Sequence, residues 1–190
     1  IREPSTLASQ FRTCRQYSEE ICTPLLIEDY SLQAMPETSP AKWHITHTSW
    51  FFETFILKPY VPAYKPFNPQ FEVLFNSYYN GIGKQYPRTQ RGLLSRPSVD
   101  DVMRYRHYID NQVQKLLTNL PTEHQHSILA RLELGCHHEQ QHQELFFTDL
   151  KYCWFQNPMF PVYHTPVETS AAPPPPLTWI QFKGGTVNVG

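Results

Sequence analysis

The segment Leu134-Gly135-Cys136-His137-His138-Glu139-Gln140-Gln141-His142-Gln143-Glu144-Leu145-Phe146-Phe147-Thr148-Asp149-Leu150-Lys151-Tyr152 has no proline and places two histidines four residues apart. A helix turns by about 100° per residue, so His138 and His142 lie one turn apart on one face and can share a metal. Leu134, Leu145 and Tyr152 fall within about 40° of His138 on the wheel, which predicts that the imidazoles ride on the stripe facing a helical core. Glu144 points about 140° away and is expected to meet a neighbouring helix rather than the same ion.

The run His138 to His142 also fits HExxH, in which Glu139 would be the general base of a zinc hydrolase. The metzincin continuation is absent, because Leu145 and Thr148 stand where Gly and His are required. A third ligand must come from another segment. On the helical wheel of Trp43-His44-Ile45-Thr46-His47-Thr48-Ser49-Trp50-Phe51-Phe52 and the residues that follow, Trp43, Trp50, Phe51 and Thr54 cluster around His47, which predicts that His47 faces inward. His44, about 60° off, is the reserve candidate.

Four segments together resemble the N-terminal half of the ergothioneine-biosynthesis sulfoxide synthases. They are Ser39 to Glu53, Phe75-Asn76-Ser77-Tyr78-Tyr79, Arg91-Gly92-Leu93-Leu94-Ser95-Arg96-Pro97 and His137 to Glu144. The resemblance spans roughly residues 5 to 165. It implies a mainly α fold, a DinB-like four-helix bundle with a long insertion between the second and third helices. The start of a formylglycine-generating-enzyme-like (C-type-lectin-like) α+β domain would follow. It implies non-haem iron(II) held by His47, His138 and His142. Arg88 and Arg91 would bind the carboxylates of the thiol substrate, a role that suits a guanidinium fork; Arg96 could substitute. Gln141 would hydrogen-bond the substrate imidazole. The implied reaction joins the thiol of cysteine or gamma-glutamylcysteine to hercynine with O2, and the catalytic tyrosine is expected in the second domain. Related ovothiol- and selenoneine-type synthases use other substrates. A DinB-like thiol-dependent transferase, the zinc hydrolase and a non-enzymatic helical interaction domain are the remaining alternatives.

The 190 residues suffice for one good core or one domain plus a fragment. Lys and Arg number 16 against 17 Asp and Glu, so the charge balance asks for neither nucleic acid nor an anionic membrane. No apolar run approaches the roughly 20 residues of a membrane span, and a cytoplasmic location is expected. Cys14, Cys22, Cys136 and Cys153 lack close metal spacing and are expected to be free.

Apolar periodicity predicts a first helix from Ser5 to Ile27, without recognisable chemistry, and a second capped by Ser39-Pro40 and reaching Leu57. A short helix over Pro69 to Ile82 would carry Tyr78 and Tyr79, core residues or cavity lining. The basic loop Lys84 to Arg96 follows. A third long helix should start at the near capping box Ser98-Val99-Asp100-Asp101 and reach Leu120, and Thr122 should cap the metal helix that ends near Phe155. Residues 1–165 would form the bundle and 166–178 a proline-rich linker. Residues 179–190 would form a first hairpin that needs a partner, supplied by a second domain or a complementary chain.

Overall fold

The computed structural model describes residues 3–77, 81, 83–165 and 174–188. Four long helices dominate: α1 (Pro4–Glu20), α2 (Ala41–Phe52), α3 (Val99–Thr118) and α4 (Gln125–Phe155). α2 packs against α3 and α4, and α1 packs mainly on α4. Among the described residues there are no strands, and no helix is long and apolar enough to cross a membrane. The chain is mainly α and arranged as a helical bundle.

Helix boundaries follow local chemistry. α1 stops at Glu20, short of the expected Ile27, because Pro24 cannot continue a helix; a separate 3-10 turn spans Ile27–Ser31. α2 runs into a π-helical turn at Glu53–Leu57 and a last turn at Lys58–Tyr60. Ser39 does not cap α2, since its hydroxyl accepts from Arg91 instead. α3 does open on a capping box: Ser98 Oγ accepts from the Asp101 N–H, and the Asp101 carboxylate accepts from the Ser98 N–H. Thr122 begins a 3-10 turn without capping by its side chain. Of the helix expected from Pro69 to Ile82, a single turn forms at Phe71–Leu74. Tyr78 and Tyr79 lie outside the described residues.

Every residue of α2 is buried, which makes it the central element. The apolar core is split by a polar layer. On one side lie Leu7, Phe11, Trp50, Phe52, Tyr105, Ile109 and Leu132; on the other lie Ile21, Ile45, Val102, Phe146 and Trp154. Between them sits Glu139, fully buried. One of its oxygens accepts from Ser18 at 2.6 Å and Arg106 at 2.7 Å, the other from Arg15 at 3.0 Å. Arg15 also reaches Asp110, and Arg106 reaches Glu19, so each guanidinium has a second carboxylate. Such a network survives burial because its charges are paired and hydrogen-bonded.

This layer corrects the predicted orientation of α4. Its core-facing line runs through Leu132, Cys136, Glu139, Gln143, Phe146 and Leu150, while Leu134 is 58 % exposed and Leu145 and Tyr152 are each 39 % exposed. Glu139 is drawn inward by two arginines on other helices. The histidine stripe, rotated by about 100°, faces a cleft instead of the core. Glu144 is exposed, and among the described residues its carboxylate forms no hydrogen bond or ion pair with another helix.

The expected hairpin is not formed. Described residues 174–188 have no strand pairing, and Leu177, Trp179, Ile180, Phe182 and Val187 stand exposed. Two strands with no apolar surface to pack on are not stable in water. The remaining linker residues, 166–173, and the last two hairpin residues, Val189 and Gly190, lie outside the described residues.

Candidate metal centre

α2 and α4 bring His47, His138 and His142 together, with one potential ligand atom from each lying within 4.8 Å of the others. The ring centroids are 5.0 Å (His47–His138), 4.7 Å (His47–His142) and 4.6 Å (His138–His142) apart. Each pair meets edge to face, at 63–68°, so the rings converge from three directions.

All three imidazoles are held neutral. Burial, then the neighbouring His138, pushes His47 well below its usual range. Burial lowers His138 to about 4 against a small opposing effect of Glu139. Burial, with His47 and His44 beside it, lowers His142. Neutral imidazole is the ligand form, so three lone pairs are available at neutral pH.

Each ring is anchored differently. His47 Nδ1 donates to the Phe75 carbonyl at 2.6 Å, which leaves Nε2 as its ligand atom. The His47 ring also stacks with Trp43 at 4.5 Å and Trp50 at 5.4 Å. His142 Nδ1 lies 3.0 Å from His44 Nδ1, and His44 Nε2 lies 3.0 Å from Asp149 Oδ2. His138 Nδ1 is buried with no hydrogen-bond partner among the described residues, while its ring stacks on Phe51 at 4.6 Å. Three convergent neutral nitrogen donors, one ring carrying an orphaned buried nitrogen, fit a divalent transition metal that accepts imidazole. His44, the reserve candidate, is engaged at both ring nitrogens and buttresses His142.

The trio opens into a cavity of about 260 Å³ that is also lined by Arg88, Arg91 and Gln141. Arg91 is buried, with its guanidinium 3.3 Å from the Trp43 ring centre and donating to Ser39 Oγ and Ser77 Oγ. Arg88 is exposed and donates to the Glu37 carbonyl, and Gln141 is exposed. Arg96 is exposed, donates to the Ser95 carbonyl and does not line the cavity. Asp149 is the one acidic side chain in the described lining, and it already accepts from Ser39 N–H and faces His44. Two cations against one engaged carboxylate favour an anionic ligand.

Sequence reasoning missed Asp149, although it lies seven residues beyond His142 and within about 20° of it on the wheel. It also missed Arg15, Ser18 and Arg106, which bind Glu139; lone arginines on amphipathic helices carry no signal of burial. Glu139 itself, committed to those partners, sits in the core layer and not at the mouth of the cavity. All four cysteines are free and buried. No family model matches this chain, and no curated protein matches it.

Proposed function

We propose that this chain is the metal-holding part of a non-haem iron(II), O2-dependent sulfoxide synthase joining a cysteine-type thiol to the imidazole of hercynine. The observation that carries the reading is the shared cavity, where three neutral histidines meet two arginines and Gln141 within about 260 Å³. That volume sits just below the roughly 300–1,000 Å³ usual for small-molecule pockets and suits an amino-acid-sized ligand.

His47, His138 and His142 would hold the iron. Iron(II) bound there would supply the redox chemistry that couples a thiol to oxygen. Arg91, rigidly held on Trp43, fixes a substrate carboxylate, and Arg88 adds charge at the rim. Gln141 offers an amide to the acceptor imidazole. The zinc-hydrolase reading is disfavoured, because Glu139 has both oxygens taken by Arg15, Arg106 and Ser18 and is remote from a general-base role.

Anaerobic iron(II) titration with nitric oxide as oxygen surrogate tests the proposal. One iron per chain, with a spectrum that changes on adding cysteine or gamma-glutamylcysteine, supports it. Tight zinc with no thiol response supports a hydrolase instead, and absence of metal binding removes both.

A further inference from the structure

His142 is the one member of the trio whose outer nitrogen faces another histidine. His44 comes from α2, one turn before His47, and Asp149 comes from α4, two turns after His142. The contacts are His142 Nδ1 to His44 Nδ1 at 3.0 Å and His44 Nε2 to Asp149 Oδ2 at 3.0 Å, with the same Asp149 oxygen accepting from the Ser39 backbone N–H at 2.8 Å. His44 is buried.

Proton counting along this line leaves one arrangement in which His142 can bind a metal. An ionised carboxylate only accepts, so His44 must carry its proton on Nε2. His44 Nδ1 is then a bare lone pair. The 3.0 Å contact to His142 therefore needs the His142 proton on Nδ1, which leaves Nε2 as the unprotonated atom turned toward His47 and His138. The opposite order would set the bare His44 Nε2 lone pair against the Asp149 carboxylate, two acceptors facing each other, and would place the His142 proton on its metal-facing nitrogen.

We infer that Asp149 and His44 are a positioning pair that locks His142 in the metal-binding tautomer through a two-step hydrogen-bond relay. This rests on the metal-holding role of the trio, not on the identity of the metal or the reaction. A carboxylate behind a ligand imidazole fixes its orientation and raises its basicity, and loss of such support commonly costs about 10- to 100-fold in metal affinity. Here the support passes through a second imidazole. The three ligands accordingly differ: His47 leans on a neutral carbonyl, His142 on an anion-backed histidine, and His138 on ring stacking alone.

Two measurements on the whole chain test the pair. Long-range ¹H–¹⁵N correlation of the metal-free protein should find His142 as the Nδ1–H and His44 as the Nε2–H tautomer. A His142 Nε2–H tautomer overturns the proposal whether or not any variant folds. Cobalt(II) competition against a chromophoric chelator should then show about 10- to 100-fold weaker binding for His44→Phe and a smaller loss for Asp149→Asn. His44→Gln, whose amide oxygen can accept the His142 proton, should bind better than His44→Phe. If ring shape were all that mattered, Phe would outperform Gln, and that order, or wild-type affinity in His44→Phe, sinks the inference. If cobalt does not bind the wild type, the metal reading fails, while the tautomer measurement still decides on the pair.

Discussion

Glu139 sits fully buried between two guanidiniums. Burial by itself would raise its carboxyl, but Arg106 and Arg15, with the Ser18 and Arg106 hydrogen bonds, hold it at about 2 against an ordinary 4.5. A depressed carboxylate contributes stability above its unfolded value and loses it as pH falls toward the folded one. The three clustered histidines obey the same sign, because they are folded in neutral form and must be protonated on acid unfolding. His138, at about 4, gives up its contribution between pH 6.5 and 4. Urea midpoints of the metal-free chain should therefore decline from about pH 6.5 and more steeply below about 4.5. A flat profile from pH 7 to 5 would contradict neutral buried imidazoles. Glu139→Gln leaves Arg15 and Arg106 short of a counter-charge and should cost about 3 kcal/mol in urea unfolding at pH 7. Such a loss would be unexpected if Glu139 were a solvent-facing general base.

α4 packs tightly on the Phe52 side chain of α2 at Gly135. A Cβ there would lie 2.4 Å from Phe52 Cε1, and Phe52 is fully buried and in edge-to-face contact with Phe11. In an exposed helix, Gly→Ala gains up to about 1 kcal/mol. Here overpacking of about 1–3 kcal/mol opposes it and should win. Gly135→Ala should thus destabilise the chain by about 1–2 kcal/mol, read by urea titration, and weaken cobalt(II) binding, because His138 lies one turn along the displaced helix. A stabilised variant with unchanged affinity would show that the helices can separate freely. Most elements were well marked in the sequence, since the Ser98–Asp101 box and the four long apolar periodicities are local signals, but the end of α1 was overrun because the apolar periodicity carried on past Pro24. The rotation of α4 was not marked, because the wheel weighed leucines and tyrosine above a glutamate. Only the arrival of Arg15 and Arg106 from other helices turns Glu139 inward. The site was legible where spacing decides it, as for His138 and His142. Asp149 was on the same wheel but silent until His44 came beside it in space.

For the molecule as a whole, a metal that binds only the folded bundle should raise its stability by mass action. At free metal of 100 times the dissociation constant the gain is about 2.7 kcal/mol, or roughly 5–10 °C in Tm for a chain of this size. Scanning calorimetry with cobalt(II) should register that shift and lose it in His47→Ala. The tail over 174–188 adds nothing to this balance, since its apolar side chains touch no core. It does carry Trp179, 92 % exposed, whereas Trp43, Trp50 and Trp154 are buried. Two of those three indoles stack on His47. The protein therefore contains its own optical gauge. Iodide should quench the exposed Trp179 selectively, leaving emission that comes largely from buried indoles, two of which lie against His47. Arrival of a paramagnetic ion would dim that light, so occupancy of the centre can be followed in the intact chain without any added dye.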